Sequence, residues 1–262
     1  MNLSIIVPVY NSEKILPLLI KSISDNLKES KISYEIILVN DFSKDKSWNT
    51  IVNLARSYRF VKGINLKKNY GQHSAIFMGL KFCVGRNLIC MDDDMQHDPI
   101  YLLNIYNELI KGFDVCYVKY ANRQHSKIKI FISWLNNIVS SYLMEKSSKI
   151  YTSSFKGFNS DIKSVIINKS SKHIFLDYWI IKNFKKIKII EVSHKKRLEG
   201  ETNYNFRELL TLWSKMIFLI DIKKLGMKTL IITTLRVIFK TFLKKYLKIQ
   251  NSEEILIESK TF

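Results

Sequence analysis

Short apolar runs alternate with amphipathic stretches over the first 120 residues, and this alternation constrains the fold more than any other feature of the chain. The apolar runs have the length and composition of strands that are buried on both faces; they are Ser4–Val9, Tyr34–Val39, Val61–Leu66, Asn87–Met91 and Phe113–Val118. Helical patterns separate them, beginning at Ser12, at Ser43 or Asp45, at Gln72 and at Asp98–Pro99. Strands and helices in this order predict an α/β fold: an open, mostly parallel sheet with helices on both faces.

Polar side chains follow three of these predicted strands. Tyr10 and Asn11 come directly after the first strand, Asp41 follows the second, and an acidic triplet, Asp92–Asp94, follows the fourth. In open parallel sheets, ligands bind beyond the carboxyl ends of the strands. We therefore expect these side chains to share one edge of the sheet, where a ligand would bind.

The acidic triplet is the most informative motif in the chain. Three adjacent carboxylates repel one another, but the arrangement becomes favourable when a divalent cation is bound. Mg²⁺ and Mn²⁺ prefer oxygen ligands and are commonly shared between carboxylates and a substrate phosphate. Because side chains alternate along a strand, Asp92 and Asp94 are predicted to face the cation and Asp93 to point away.

The residues after the triplet leave two interpretations open. Gln96 can add a metal ligand or orient one, which favours a metal site. His97 is a neighbour only, because a hard cation that holds phosphate does not favour imidazole. The alternative is a solvated acidic turn in which Asp98 caps the next helix.

Positive charge is concentrated in the second half of the chain. The formal net charge is +19. Residues 1–121 contain 15 basic and 12 acidic side chains, whereas residues 122–262 contain 27 basic and 11 acidic ones. This asymmetry predicts an anionic partner for the second half: membrane lipid, nucleic acid or a phosphorylated substrate.

The region from Phe206 to Gln250 reads as helical, apolar and basic. It has too many lysines for a membrane span, and its composition fits a basic amphipathic helical segment that lies on an anionic leaflet. Each Lys or Arg near such a surface contributes on the order of 1 kcal/mol. The alternative is a helical cap over the preceding domain. We expect the membrane-associating helices at 219–250 and a flexible tail at 251–262.

Five segments resemble, in order and at familiar separations, the family-2 glycosyltransferases of GT-A type. They are SIIVPVYNSEKIL (4–16), EIILVNDFSKDKSWNTI (35–51), NYGQHSAIFMGL (69–80), MDDDMQHDP (91–99) and VSHKKRLEGETNY (192–204). The most similar branch is the polyprenyl-phosphate sugar transferases, of the dolichol-phosphate mannosyltransferase type. The resemblance covers about residues 1–218 and implies a Rossmann-like GT-A catalytic domain there.

This resemblance implies roles for the residues after the first two strands. Pro8, Tyr10, Asn11 and Glu13 would shape the nucleotide pocket. Asp41 would accept a hydrogen bond from the base. One departure lies beside it, since Phe42 stands where the family often has glycine.

The remaining implied roles concern the diphosphate. Asp92 and Asp94 match the family's Asp-x-Asp motif, with Gln96 able to join the shell around Mg²⁺ or Mn²⁺. His194 and Arg197 match a His-x-x-Arg pair, and Arg197 is expected near the diphosphate or the acceptor phosphate, because a guanidinium matches phosphate geometry. Asp94 and Arg197 are thus the implied catalytic residues.

A second departure concerns the catalytic base. Asn159 falls where some members have a catalytic-type Asp, and an amide cannot act as a base. Lys156 likewise replaces an Arg. Asp161 either substitutes for the missing carboxylate or caps a helix.

Together these features predict a hexosyltransferase-type enzyme that moves a sugar, with inversion, from a nucleotide-diphosphate donor (expected to be UDP-linked) to a lipid-linked acceptor. The acceptor is polyprenyl phosphate or a lipid-linked glycan in cell-surface polysaccharide or glycolipid biosynthesis. The metal and Arg197 would stabilise charge on the leaving phosphate. We expect a peripheral protein at the cytoplasmic face of the plasma membrane, with no nucleic-acid partner and with homo-oligomerisation left open. The alternatives are a nucleotidyltransferase and a basic nucleic-acid-binding protein.

Overall fold

The structure is a computed structural model that describes residues 1–121, 151–169, 176–193 and 255–262. The strands are β1 (Leu3–Val9), β2 (Tyr34–Asn40), β3 (Val61–Leu66), β4 (Asn87–Cys90), β5 (Val115–Ala121), β6 (Lys156–Asn159), β7 (Ile187–Ser193) and β8 (Ile257–Lys260). The α-helices are α1 (Leu16–Leu27), α2 (Ser47–Ser57), α3 (Gln72–Phe82), α4 (Leu102–Ile110), α5 (Ser160–Lys169) and α6 (Leu176–Asn183), and a 3₁₀ turn at Pro99–Tyr101 precedes α4.

Within these ranges the strands form one sheet in the order β7-β5-β6-β4-β1-β2-β3-β8. β1 pairs in parallel with β2 on one side and with β4 on the other, and β2 pairs in parallel with β3. The last residue of β1, Val9, lies opposite Asn40, the last residue of β2. The carboxyl ends of β1, β2 and β4 therefore meet at one edge, as the sequence predicts.

Helices cover both faces of this sheet, which is why every residue of β1 is buried. Alternate side chains serve the two layers: Ile5 and Val7 pack with α1, α2 and α4, whereas Ile6 packs with α3, α5 and α6. This mostly parallel mixed sheet between helical layers confirms the predicted fold class. The antiparallel members are β6, which pairs with β4 and β5, and β8, which pairs with β3.

The prediction of a flexible tail at 251–262 is wrong for the final residues of this range. Ile257–Lys260 form β8, with Ile64 opposite Lys260 and Leu66 opposite Ile257. Ile257 packs against the core that contains α3, and the strand's residues alternate between partly buried and exposed. A four-residue strand on a sheet edge has too short an alternation to stand out in the sequence.

The predicted basic helical segment at 219–250 lies outside the described residues. So do His194 and Arg197. In the part of the chain that the structure describes, every helix is too short or too polar to cross a bilayer.

Candidate functional site

A cavity of about 320 Å³ opens where β1, β2 and β4 end. Loops from four parts of the sequence contribute to its wall; the lining residues are Pro8, Val9, Tyr10, Asp41, Asn69, Gly71, Gln72, Asp92, Asp93 and Asp94. The structure thus brings together five of the residues that the sequence singles out. These are Pro8, Tyr10, Asp41, Asp92 and Asp94.

The middle carboxylate of the triplet ties two loops together. Its Oδ2 accepts a hydrogen bond from the Tyr10 amide at 3.0 Å and another from the Ser12 hydroxyl at 2.5 Å. Asp93 therefore binds the loop after β1, whereas Asp92 and Asp94 are the residues expected to bind a cation. The reason is not strand alternation, because β4 ends at Cys90 and the triplet belongs to a loop.

Asp93 also has the most perturbed acidity of the described carboxylates at the site. Burial raises its pKa to about 6, and the nearby carboxylates of Asp92 and Asp94 push in the same direction. The two hydrogen bonds that it accepts oppose this shift without cancelling it. A carboxylate held in this way has a structural function, as a clamp between the β1 loop and the acidic loop.

Asp92 is held by side chains from two distant segments. Gln72, at the start of α3, donates from Nε2 to Oδ1 at 2.5 Å, and the Ser154 hydroxyl donates to Oδ2 at 2.9 Å. The sequence patterns alone predict a site role for neither residue. Gln72 lies inside a segment that carries the family resemblance, which is the signal that could have identified it. The sequence around Ser154 offers no such signal.

His97 lies against both the backbone amide and the carboxylate of Asp92. Its Nδ1 accepts a hydrogen bond from the Asp92 amide at 2.8 Å, so in the neutral ring Nε2 carries the proton. Nε2 lies 3.4 Å from the Ser154 hydroxyl and 3.6 Å from the Asp92 carboxylate. The buried ring stacks on Phe155 with centroids 4.8 Å apart. His97 is thus a neighbour of the acidic pair, as expected, and it orients Asp92.

Asp94 is oriented by its own loop, since Oδ1 accepts a hydrogen bond from the Gln96 amide at 3.1 Å. The carbonyl of Gln96 accepts a hydrogen bond from the Tyr120 hydroxyl at 3.4 Å. Gln96 is not among the residues that line the cavity. The structure therefore shows Gln96 shaping the acidic loop, and its role as a metal ligand stays a prediction.

The two outer carboxylates fit a cation that is shared with a phosphate. No group of three or more His, Cys, Asp or Glu residues is arranged around a metal position within residues 1–121, 151–169, 176–193 and 255–262. Asp92 and Asp94 nevertheless line the same cavity, and carboxylate oxygens are ligands that Mg²⁺ and Mn²⁺ prefer. Mg²⁺ typically takes one or two carboxylates and completes its shell with substrate phosphate and water.

Asp41 binds the loop before α3, which forms another wall of the cavity. Its Oδ1 accepts from the Tyr70 amide and its Oδ2 from the Gly71 amide, both at 2.7 Å. Burial raises its pKa, and the two amide hydrogen bonds lower it only in part. Gly71 has φ +86° and ψ 159°, a conformation that is nearly restricted to glycine. Asp41 therefore holds the loop before α3, and its contact with a nucleotide base stays a prediction.

Asn11 and Glu13 do not line the cavity but contact a loop beside it. The Asn11 side chain accepts from the Lys44 amide at 2.8 Å, and the Glu13 carboxylate accepts from the Lys46 amide at 2.8 Å. The Asn11 amide in turn donates to the Ser43 hydroxyl at 2.9 Å. Both residues fasten the loop after β1 to the loop after β2, so the structure gives them a supporting role.

Phe42 occupies a backbone conformation that explains the family's glycine. Its φ is +62°, in the left-handed region, and its side chain is 48% exposed. An L-residue in this region costs roughly 1–2 kcal/mol. The strain lies directly beside Asp41, at the rim of the site.

The position expected for a base does not lie at the cavity. Because β6 runs antiparallel to β4, Asn159 lies opposite Asn87 at the start of β4, whereas the cavity lies beyond the other end of that strand. The Asn159 side chain accepts from the Asp161 amide at 3.2 Å, at the beginning of α5. Asp161 does not line the cavity, and it lies in the first turn of α5. The side chain that caps this helix is Asn159, so the predicted capping role of Asp161 is wrong.

Similarity to known proteins agrees with this geometry. Residues 4–174 match the model of glycosyl transferase family 2. The chain is 30% identical over 210 residues to undecaprenyl-phosphate 4-deoxy-4-formamido-L-arabinose transferase of Photorhabdus laumondii, which covers 80% of this chain and 65% of that protein. The protein of the same name from Pseudomonas fluorescens is 30% identical over 216 residues, covering 82% of this chain and 63% of the relative. The chain thus spans just under two thirds of the length of these relatives.

Solved structures share the fold at low sequence identity. Glucosyl-3-phosphoglycerate synthase from Mycobacterium tuberculosis, in complex with Mn²⁺, UDP-glucose and phosphoglyceric acid, has a TM-score of 0.62 at 14% identity, covering 84% of this chain and 81% of that chain. S. aureus TarS in complex with UDP-GlcNAc has a TM-score of 0.54 at 19% identity, covering 94% of this chain and 73% of that chain. These likenesses support the GT-A architecture.

Three observations confirm the family resemblance that the sequence indicates. They are the order of the strands in the sheet, the edge of the sheet at which the carboxylates gather, and the match to the family model. The family assignment also argues against the nucleotidyltransferase and nucleic-acid-binding alternatives. The chain belongs to glycosyl transferase family 2.

Proposed function

We propose that this protein is a glycosyltransferase that moves a sugar from a nucleotide-diphosphate donor to polyprenyl phosphate, with a divalent metal. One observation carries the proposal: Asp92 and Asp94 share a cavity with Pro8, Tyr10 and Asp41 at the carboxyl edge of the sheet. That edge is where open α/β sheets bind their ligands. The names of the sequence relatives supply the lipid phosphate acceptor, and the fold neighbours were crystallised with uridine nucleotides.

One set of residues would bind the nucleoside of the donor, and another set would bind its diphosphate. The wall made by Pro8, Tyr10 and Asp41 receives the nucleoside. Asp92 and Asp94 would hold Mg²⁺ or Mn²⁺, and the bound cation would supply positive charge that stabilises the departing nucleoside diphosphate. Arg197 contributes a second positive charge to the same phosphates, in keeping with the family resemblance.

The acceptor explains why no carboxylate base is needed. A lipid phosphate is already anionic and attacks the anomeric carbon without losing a proton to the enzyme, so a strong general base contributes little. Asn159 is an amide and lies at the far end of β4. A sugar-hydroxyl acceptor would require a base, and the position at which some family members have one is here the amide of Asn159, which lies away from the cavity. This substitution favours the phosphate.

The acceptor also places the protein at a membrane. We propose peripheral attachment at the cytoplasmic face, through the basic residues of 219–250. The charge asymmetry supports it, because residues 122–262 hold 27 basic and 11 acidic side chains. A Lys/Arg→Gln variant throughout 219–250 should lose flotation with anionic vesicles, while neither protein should float with neutral ones. Equal flotation of the variant and the unmodified chain would contradict this attachment.

The catalytic proposal is tested on the full chain with Mn²⁺, UDP-sugars and undecaprenyl phosphate. A thermal-shift screen identifies the donor first, because a bound ligand stabilises the folded state by mass action. We then expect Asp94→Asn to lose turnover by at least about 100-fold while keeping its fold, since one of two metal carboxylates is removed. Asp25→Asn is the matched control, because Asp25 lies on the solvent side of α1 with its side chain 60% exposed.

Chelation gives the complementary measurement. EDTA should abolish transfer, and Mn²⁺ or Mg²⁺ should restore it in the unmodified chain and in Asp25→Asn. Undiminished transfer in EDTA, or equal activity of Asp94→Asn and Asp25→Asn, would refute the metal assignment.

A further inference from the structure

The C-terminal strand does more than extend the sheet edge. β8 pairs antiparallel with β3, with Asn65 opposite Ser259 and Leu66 opposite Ile257. Glu258 is therefore an extra residue opposite the step from Asn65 to Leu66. Such bulges redirect a side chain that would otherwise follow the regular alternation of the strand.

The redirected carboxylate reaches a buried polar chain. Glu258 Oε2 accepts a hydrogen bond from Asn65 Nδ2 at 2.8 Å, and Asn65 Oδ1 accepts from Asn40 Nδ2 at 2.7 Å. Asn40 Oδ1 then accepts from the Ser43 hydroxyl at 2.5 Å. Ser43 is the residue whose hydroxyl accepts from the Asn11 amide. Glu258 thus connects, by four consecutive hydrogen bonds, with the loops after β2 and β1.

A second set of contacts joins the same C-terminal segment to the loop before α3. The Lys67 amide donates to the Leu256 carbonyl at 3.0 Å, and the Leu256 amide donates to the Tyr70 hydroxyl at 3.1 Å. These two bonds bracket the loop at both ends. Thr261 adds an anchor further along, since its hydroxyl accepts from the Gly63 amide at 2.8 Å.

The bracketed loop is one wall of the cavity. Asn69, Gly71 and Gln72 line it. The amides of Tyr70 and Gly71 hold Asp41, and Gln72 holds Asp92. The loop therefore connects the carboxylate on the nucleoside side with the carboxylate on the metal side, and its position fixes both.

We infer that the C-terminal segment 255–262 positions the nucleotide-sugar site, with Glu258 and the Tyr70 contact as the positioning groups. This inference rests on the proposed function for its substrate. No residue of β8 lines the cavity, so the effect on donor binding is indirect. Glu258 holds the loops after β2 and β1 through Asn65, and the contacts of Leu256 hold the loop at 67–72 in the conformation that a nucleotide requires.

The test compares three point variants on the full chain. Glu258→Ala removes the acceptor for Asn65 and should weaken donor affinity by about three- to tenfold, with kcat at saturating donor within about twofold. Glu258→Gln keeps a carbonyl that can accept the same hydrogen bond and should bind like the unmodified chain. Ser259→Ala is the control on the same strand, because its pairing with Asn65 uses the backbone.

Amide hydrogen exchange in the absence of ligand gives a readout that does not depend on activity. The Asn11 amide ends the series of hydrogen bonds from Glu258, so it should exchange faster in Glu258→Ala and at the normal rate in Glu258→Gln and Ser259→Ala. The amides of Tyr70 and Gly71 should exchange faster in a chain that ends at residue 254. A peptide of residues 255–262 should restore protection and donor affinity to the shortened chain. If the shortened chain does not fold, Glu258→Ala alone decides the question.

The possible outcomes separate the two proposals. Unchanged exchange at the Asn11 amide in Glu258→Ala would overturn the positioning role of Glu258, as would a fall in kcat with unchanged donor affinity. A chain that binds no nucleotide sugar would instead refute the proposed function, while the exchange measurement would still report whether β8 holds the loop.

Discussion

Gly71 offers the sharpest test of how the site is built. Its φ of +86° and ψ of 159° lie in a region that only glycine enters readily, and its amide donates to Asp41 at 2.7 Å. A Cβ added there would meet no atom within 4 Å. The cost of Gly71→Ala is therefore one of backbone conformation, about 1–3 kcal/mol, rather than one of collision with neighbours.

The chain has two ways to accommodate that alanine, and both are measurable. If the loop keeps its conformation, the free energy of unfolding falls by the full strain, and the melting temperature falls by roughly 3 to 10 °C. If the backbone relaxes, the amide leaves Asp41 and the cavity wall moves, so nucleotide affinity falls by about tenfold, as expected for a lost hydrogen bond to a charged group. Urea unfolding and calorimetric titration with UDP and Mn²⁺ measure the two quantities.

Gly112 supplies a matched control. It has φ +95°, a Cβ there would also meet nothing within 4 Å, and it follows α4, where its amide donates to the Leu109 carbonyl at 3.0 Å. Gly112→Ala should lose stability and keep full nucleotide affinity. The reasoning fails if Gly71→Ala changes neither stability nor affinity, or if the two variants weaken UDP binding equally.

Three further substitutions examine the surroundings of the cavity. Phe42→Gly should raise the free energy of unfolding by about 0.5–1 kcal/mol in urea titrations, since relief of the left-handed strain exceeds the added entropy of the unfolded chain; a loss of stability would contradict this. Asp41→Asn should remove a pH dependence of the folding stability. Burial raises the pKa of Asp41 above its ordinary value of 3.8, so the folded chain binds this proton more tightly than the unfolded chain does. The unmodified chain should therefore lose stability relative to the variant as the pH rises above 3.8. A stability difference that does not change with pH would refute that assignment. His97→Phe keeps the stack on Phe155 but leaves the Asp92 amide without its acceptor, so the Mn²⁺ concentration for half-maximal activity should rise about fivefold with kcat unchanged at saturating metal; an unaltered metal requirement would mean that His97 does not orient Asp92.

Local patterns in the sequence account for much of the fold. The strands β1 to β4 and the edge at which they end follow from apolar runs such as Leu3–Val9, because strands buried on both faces need nearly continuous hydrophobic residues. The gathering of Asp41, Asp92 and Asp94 follows in turn, because parallel strands bring their carboxyl ends to one side. Each of these inferences needs only short-range periodicity and a connection rule.

Long-range pairing determines the rest, and no local pattern encodes it. The direction of β6 puts Asn159 at the wrong end of the sheet for catalysis and brings Ser154 next to Asp92. The end of β4 at Cys90 leaves Asp93 free to clamp the β1 loop. The pairing of β8 with β3 turns an expected tail into a wall support for the site. Strand direction and register depend on energies summed over residues far apart in sequence, so only the tertiary structure decides which side chains meet.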